Sequence, residues 1–263
     1  MPAPPHLPAL TIGNIALSFH RAAAAVVRRV LEDAGHETHT LEAPHEQMFD
    51  LQARGGVDIL VSAWLPASHG GYLDRYRDRV EVLAPHYTPY CVWAVPPYVP
   101  ADAVAEIADL ARPGVAERMT PTLDGINPGA GISRFSTRMI TEYGLDRAGY
   151  TFRPGTEQSF TDRVERGIAA REWFVIPIWR PQYLNAVHRL RPLREPKGLL
   201  GGTDLASPVI TRTALPALAP AALERLRSLR LGNDGVEAID ALINVGGLTP
   251  LDAADRYLRS ATT

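Results

Sequence analysis

Short apolar runs of strand length alternate with amphipathic stretches of helical period along the first third of the chain. Residues 10–16 are continuously apolar enough to predict a buried strand. Residues 21–31 follow with Ala and Val on one side and Arg28, Arg29 and the adjoining Glu32 on the other, the pattern of a helix lying on a sheet. Gly35 is placed to stop that helix, because glycine accepts the left-handed backbone that closes many helices. Residues 37–41 alternate as a second strand, 47–53 predict a short helix, and 57–63 form a continuous β-rich run. Strands alternating with helices imply a parallel sheet.

After another apolar strand at 90–95, Pro96, Pro97 and Pro100 punctuate the chain ahead of a helix predicted over 101–110. A second β/α run is expected next: a strand at 123–126, helices at 131–143 and around 162–170, and a strand at 173–178. Beyond the Pro- and Gly-rich residues 194–202, residues 208–211 lead the chain back, with helices starting near Pro220, Gly235 and Thr249. Thr249 as N-cap, Pro250 at the first helical position and Asp252 in the first turn make the last of these a clear helix start. The fold class that results is α/β with two lobes, 8–92 plus 205–263 and 93–204. A layout in which the chain leaves one αβ unit, builds another and returns predicts a cleft, where small ligands usually bind.

Composition narrows the function more than the fold. The 263 residues are 46% hydrophobic and 21% charged, a globular balance that excludes disorder and disulfide scaffolds. Lys+Arg 27 against Asp+Glu 29 gives a net charge of -2, and no basic cluster interleaves with aromatics, so no nucleic-acid partner is expected. Cys91 is the single cysteine, which excludes an internal disulfide and any CxxC motif, and its apolar strand predicts an inert thiol. The start, Met1-Pro-Ala-Pro-Pro-His-Leu-Pro8, has neither a basic n-region nor an apolar h-region, so no export leader is read there. No uncharged apolar run approaches the roughly 20 residues that cross a bilayer, so no transmembrane segment is expected.

The chemistry gathers at two tryptophans. Trp64 in Ser62-Ala63-Trp64-Leu65-Pro66 stands after a buried strand and before a proline-directed turn, at the strand edge that faces ligands in open α/β sheets. Read alone, it is as consistent with a ring packed under a loop. Phe174-Val175-Ile176-Pro177-Ile178-Trp179-Arg180-Pro181 repeats the order strand, Trp, one residue, Pro, and two such edges facing each other would sandwich a ligand. Trp faces attract cations, each contributing about 0.5 to 2 kcal/mol, and aromatic cages hold methylated ammonium groups that offer no N–H donor. Trp93 and Trp173 lie inside strand runs and read as packing.

Asp124-Gly125-Ile126-Asn127-Pro128-Gly129-Ala130-Gly131 is a strand running into a Gly-rich turn that opens a helix, where exposed backbone N–H groups favour an anion or carboxylate. It lacks the Lys-Ser/Thr of a P-loop and the spacing of a dinucleotide fingerprint, so no cofactor is expected. There is no HExxH and no Gly-x-Ser-x-Gly elbow, so neither a metal nor a catalytic set is read, and the histidines are expected at the surface. Arg112, Arg118, Arg134 and Arg138 read as solvated faces.

Taken together these segments resemble the glycine betaine and choline binding proteins of compatible-solute ABC importers. The resemblance rests on Ala63-Trp64-Leu65-Pro66-Ala67-Ser68-His69 with Tyr72 and Tyr76, on Gly125 to Ile132, on Ile178 to Tyr183 followed by Leu193 to Gly198, and on the tail from Gly247 to Tyr257. It implies a type II periplasmic-binding fold, a monomer, a small-molecule ligand and an ABC permease with its ATPase as partners. By position, Trp64 and Trp179 match cage residues, Gly13, Asn14 and Ile15 with Gly129, Ala130 and Gly131 match ligand-proximal backbone, Tyr183 matches an aromatic beyond the second cage Trp, and His69 closes the first motif. Where some members carry further aromatics this chain has Ala130, Leu17 and Leu231, and Phe19 or Tyr87 is left to complete the cage. The resemblance implies work in the periplasm or at the cell surface, whereas the missing leader leaves the cytoplasm open. The incomplete cage and absent leader also keep a second reading alive, an enzyme or ligand sensor on the same fold acting on another small molecule.

Overall fold

A computed structural model describes residues 7–261. The reading of the proline-rich start as leaderless falls largely on residues 1–6, outside that range. The described chain divides into two compact units, one running up to Thr88 and resuming at Leu205, the other Pro89–Asp204.

The first unit opens with β1 (Leu10–Ile15), α1 (Ser18–Asp33), β2 (Thr38–Ala43), α2 (His45–Ala53), β3 (Ile59–Leu65), a single turn α3 (Gly70–Leu73) and β4 (Val80–Val82). The second holds β5 (Tyr90–Val95), α4 (Pro113–Ala116), β6 (Thr122–Asp124), α5 (Gly131–Glu142), β7 (Thr151–Arg153), α6 (Glu157–Ala169), β8 (Ile176–Arg180), α7 (Leu184–His188) and β9 (Arg191–Pro192). The returning chain adds β10 (Leu205–Thr211), α8 (Pro220–Ser228), α9 (Gly232–Asn244) and α10 (Pro250–Ala261) to the first unit.

In the first unit the sheet runs β2-β1-β3-β10-β4, with β1, β2 and β3 parallel and β10 antiparallel to both its neighbours. Every residue of β3 is buried, as a central strand covered on both faces requires. The four alanines Ala22 to Ala25 on α1 are buried, and their small side chains let the helix approach β1, β3, α9 and α10 closely. A Cβ on Gly13 would meet Met48 Sδ at 2.6 Å and Val57 Cγ1 at 2.7 Å, so glycine is what allows α2 to lie so near β1. Gly35, at φ +91°, follows the last turn of α1, where its N–H bonds to the Glu32 carbonyl. Pro208 sits at the register shift of β10, where a residue without an N–H costs no ladder bond.

The second unit departs from a simple β/α run. Its sheet is β8-β5-β9 with both pairings antiparallel, and β6 pairs with β7 in a separate parallel ribbon. Pro177 in β8 and Pro192 in β9 are accommodated because both strands are edges. The predicted helix at 101–110 is not formed. Instead the Asp109 carboxylate accepts from the N–H groups of Ala105 and Glu106 at 2.8 and 3.0 Å, and this capping box starts a 3-10 segment, Ile107–Ala111, just before Pro113. The predicted strand at 173–178 lies later, at Ile176–Arg180, while Trp173 makes only an isolated bridge to Met119.

The two passages between units are neighbours in the chain's own hydrogen bonding. Tyr87 bridges to Ala206 within the first unit, and Tyr90 bridges to Thr203 within the second, with the Asp204 N–H on the Pro89 carbonyl at 2.8 Å.

The start of α10 follows the sequence reading closely. Thr249 Oγ1 accepts from the Asp252 N–H at 3.2 Å and donates to the Asp252 carboxylate at 2.6 Å, while Asp255 accepts from Arg29 Nε and Nη2 at 2.7 and 2.8 Å and ties the helix to α1. Thr249→Ala is expected to lower stability by about 1 kcal/mol, seen as a shifted urea midpoint with an unchanged slope.

Candidate functional site

In the first unit the chemistry is built around Trp64. The residue is the next-to-last of β3, paired with Ala206 of β10, and so lies within the strand rather than after it. Its indole is 5% exposed. Phe19 and His20 from α1 approach it at ring distances of 5.3 and 5.8 Å, His69 stacks at 6.1 Å and 27°, and Tyr87 meets it edge-on at 6.4 Å. The indole N–H donates to Tyr87 Oη at 3.1 Å. Ser62, two residues earlier on β3, bonds His20 Nδ1 at 2.7 Å and also the Tyr87 hydroxyl. Ser62 thus ties His20 of α1 to Tyr87 within the aromatic cluster. Burial raises the Tyr87 hydroxyl to about 12, so it stays neutral beside the indole.

His69 closes the turn after Trp64 in both directions. Its backbone N–H donates to the Trp64 carbonyl at 2.8 Å, and its ring Nδ1 accepts from the Trp64 backbone N–H at 2.9 Å. His45 and Phe49 of α2 each lie 5.3 Å from the His69 ring.

Asn14 and Ile15 end β1, both buried. Asn14 Nδ2 donates to the Ile15 carbonyl at 3.2 Å, and its Oδ1 has no hydrogen-bond partner among the described residues. A cavity of about 210 Å³ lies beside Asn14, lined also by Arg21, Thr40, Glu42 and Thr249, and Trp64 is not part of its wall.

In the second unit Trp179 occupies β8 opposite Cys91 of β5, 2% exposed, with Phe160 of α6 stacked on it at 5.6 Å and 26°. Both Trp-x-Pro segments contain a cis bond, Leu65–Pro66 and Arg180–Pro181. Tyr183 is buried at the start of α7, and Asn185 donates to the Trp179 carbonyl at 2.9 Å. Gly129, Ala130 and Gly131 form the turn into α5, with Ala130 as an N-cap in extended conformation that supplies no side-chain bond to the first-turn amides. Ser133 Oγ donates back to the Ile126 carbonyl at 3.1 Å, and the Arg134 guanidinium donates to the Gly129 carbonyl. Cys91 is buried and its thiol is pushed well up by that burial, then by the nearby Asp204 charge.

Arg118 is exposed, as its sequence reading expects, and its guanidinium stacks 3.7 Å from the Trp173 ring. Trp93 is fully buried and donates to Ser136 Oγ at 2.8 Å. The Glu195-Pro196-Lys197 segment is a clasp on α5: Glu195 accepts from Tyr143 Oη and from the N–H groups of Lys197 and Leu199, while Lys197 Nζ donates to the Glu142 carbonyl. Among the described residues no group of three or more His, Cys, Asp or Glu side chains could hold a metal, and no helix is long and apolar enough to cross a membrane.

The expectation of surface histidines is overturned, because His20, His36, His45, His69 and His86 are all buried. A neutral imidazole packs as an aromatic and can both donate and accept, as His36 does by accepting the Ala219 N–H at 3.0 Å. Burial, then the charges of His45 and Arg21, hold His20 well below the usual imidazole range. Burial, then Arg230, lowers His86 to about 4. The unfolded imidazoles take up protons near pH 6.5 while the folded ones do not, so the unfolded state binds more protons below that pH. Stability is therefore complete above about 6.5 and is lost as pH falls, with His86 alone contributing up to about 3 kcal/mol by pH 4. Urea midpoints measured from pH 7 to pH 4.5 should fall, and His86→Gln should flatten part of that fall; a flat profile in the wild type would refute the assignment.

The family described as the substrate binding domain of ABC-type glycine betaine transport system matches residues 8–260. The glycine betaine/carnitine transport binding protein GbuC of Listeria monocytogenes is 21% identical over 150 residues, covering 57% of this chain and 49% of that protein. The chain thus spans about half the length of that relative. Lactococcal OpuAC in its closed conformation with glycine betaine superposes with a TM-score of 0.84 at 23% identity, covering 97% of this chain and 96% of that one. An ABC-transporter choline binding protein in complex with choline gives 0.82 at 18% identity, covering 97% and 89%. The fold is that of a type II periplasmic binding protein.

Proposed function

Because the chain belongs to the family of substrate-binding domains of ABC-type glycine betaine transport systems, we propose that it binds a small quaternary-ammonium solute such as glycine betaine or choline. The observation that carries this reading is the family match over residues 8–260 together with the fixed aromatic cluster on Trp64. A trimethylammonium group has no N–H to donate and is held by aromatic faces instead. Trp64 and Trp179 are the indoles that contact it in this reading, with Phe19 and Tyr87 beside the first. A carboxylate, where the ligand has one, is received by the backbone amides of Gly129, Ala130 and Gly131 at the start of α5. Asn14, Ile15, His69 and Tyr183 complete the contact set inherited from the sequence motifs.

In this reading the protein works outside the cytoplasmic membrane and delivers its ligand to a permease driven by an ATPase, binding without chemical conversion. The test is calorimetric titration with glycine betaine, choline and carnitine, where heat is expected with at least one. Silence with all three would overturn the reading. Recovery of the native protein only from the cytosol would overturn the import role separately.

A further inference from the structure

We propose that Ser62, which is not among the residues assigned to the ligand, is a positioning residue: its hydroxyl anchors Tyr87, and Tyr87 in turn holds the Trp64 indole at one rotation. Its effect on binding rests on the function proposed above. β3 reads Ile59-Leu60-Val61-Ser62-Ala63-Trp64-Leu65, and apart from the indole Ser62 is its one polar side chain. Ser62 is buried, and a buried hydroxyl costs free energy unless it is hydrogen-bonded. Side chains two apart on a strand share a face, so Ser62 and Trp64 project to the same side of β3. On that side Ser62 Oγ lies 2.7 Å from His20 Nδ1 of α1 and bonds the Tyr87 hydroxyl, while the indole N–H reaches Tyr87 Oη at 3.1 Å. His20, Ser62, Tyr87 and Trp64 are all buried and form one line of hydrogen bonds from α1 to the indole.

The hydrogens of that line fit in one direction. An indole N–H only donates, so Tyr87 Oη accepts from it and sends its own hydrogen to Ser62 Oγ, and Ser62 then donates to Nδ1 of a neutral His20 ring. Every donor finds an acceptor. With Nδ1 donating instead, one hydroxyl hydrogen of the line has no acceptor within it. Rotation of an indole about its Cβ–Cγ bond is a broad torsion, and the N–H bond to Tyr87 is a polar tether on it. Attraction to a cation requires the ring face to be presented to the charge. Without the Ser62 hydroxyl, Tyr87 loses its acceptor and His20 its donor, and both rings, which lie 6.4 and 5.8 Å from the indole, can shift and let it turn.

The experiment compares wild type with Ser62→Ala, which removes the hydroxyl, Ser62→Thr, which keeps it, and Thr249→Ala, which lowers stability at the start of α10 instead. In NMR spectra without ligand, the Trp64 indole N–H resonance should shift upfield and broaden in Ser62→Ala as its bond to Tyr87 weakens. It should stay near its wild-type position in Ser62→Thr and Thr249→Ala, and the Trp93 indole N–H, bonded to Ser136, should stay in place in all of them. Glycine betaine and choline titrated at pH 7.5 should bind Ser62→Ala about 3- to 10-fold more weakly than wild type, with Ser62→Thr and Thr249→Ala within about twofold. Wild-type affinity in a folded Ser62→Ala overturns the proposal, as does an unmoved Trp64 resonance, or a Ser62→Thr that matches Ser62→Ala in both readouts. Should wild type bind neither compound, the reading of function falls, and the resonance still decides whether Ser62 fixes the indole. Thermal unfolding of each variant comes first, and if Ser62→Ala does not fold, Ser62→Cys takes its place, being close to serine in shape and a weak hydrogen-bonding group.

Discussion

Replacing Trp64 with alanine is expected to weaken binding of glycine betaine or choline by about 2- to 30-fold from the lost cation–π contact alone. The measured loss should exceed that range, because the indole is not a free-standing wall. Phe19, His20, His69 and Tyr87 all pack against it, and its removal lets each of them relax. Removing a buried indole also costs folding stability, about 3 to 5 kcal/mol, so the variant must be shown folded before its affinity is read. Trp64→Phe divides the two contributions. It keeps an aromatic face and loses the N–H that Tyr87 Oη accepts at 3.1 Å, so it should bind between the alanine variant and wild type. Trp179→Ala is expected to act in the same direction through the loss of the ring stacked on Phe160 at 5.6 Å. If both alanine variants fold and bind every quaternary amine as wild type does, the two tryptophans are not the contact residues.

In the second unit a large effect on stability is expected at Trp93. It is fully buried in β5, and its indole N–H reaches Ser136 Oγ on α5 at 2.8 Å, joining strand to helix across the core of the second unit. Trp93→Ala opens a cavity and leaves a buried hydroxyl without its donor, so a loss of about 3 to 5 kcal/mol follows. Trp173→Ala is the control. That ring is half-buried under the Arg118 guanidinium, and its removal should cost no more than about 1 kcal/mol beyond the lost packing at the surface. Urea unfolding of the two variants side by side measures the difference, and equal midpoints would show that the second unit does not depend on Trp93 in this way.

The contrast between these tryptophans shows what could be read before the structure. The period of α1 is plain because its alanines and valines fall on one face, and β3 is plain because a strand buried on both sides has to be apolar throughout. β4, β7 and β9 are two or three residues long, too short for any period to appear. The region 101–110 misleads because its Ala, Leu and Ile content favours a helix, while the local hydrogen bonds of Asp109 favour a tighter turn. For the proposed contact set, the Trp-x-Pro repeat is the sequence signal that points to Trp64 and Trp179. The neighbours that fix Trp64 are distant in sequence, Phe19 and His20 by more than a strand and a helix, and a histidine carries no sequence signal that says whether it faces solvent. His69 is the informative case: its place six positions along the motif is visible in the sequence, but the bond from its ring to the Trp64 N–H depends on the shape of the turn between them.

The second unit begins and finishes at almost one spot, since Pro89 and Asp204 are hydrogen-bonded to each other and their flanking residues pair on either side. A segment whose ends already touch can be lifted out as a cassette. A gene coding for residues 89–204 alone therefore begins and ends without a gap to span, and the remainder needs only a short joint between Thr88 and Leu205. Evolution can exchange such a block between relatives, and with it one of the two tryptophans, without rethreading the rest of the chain.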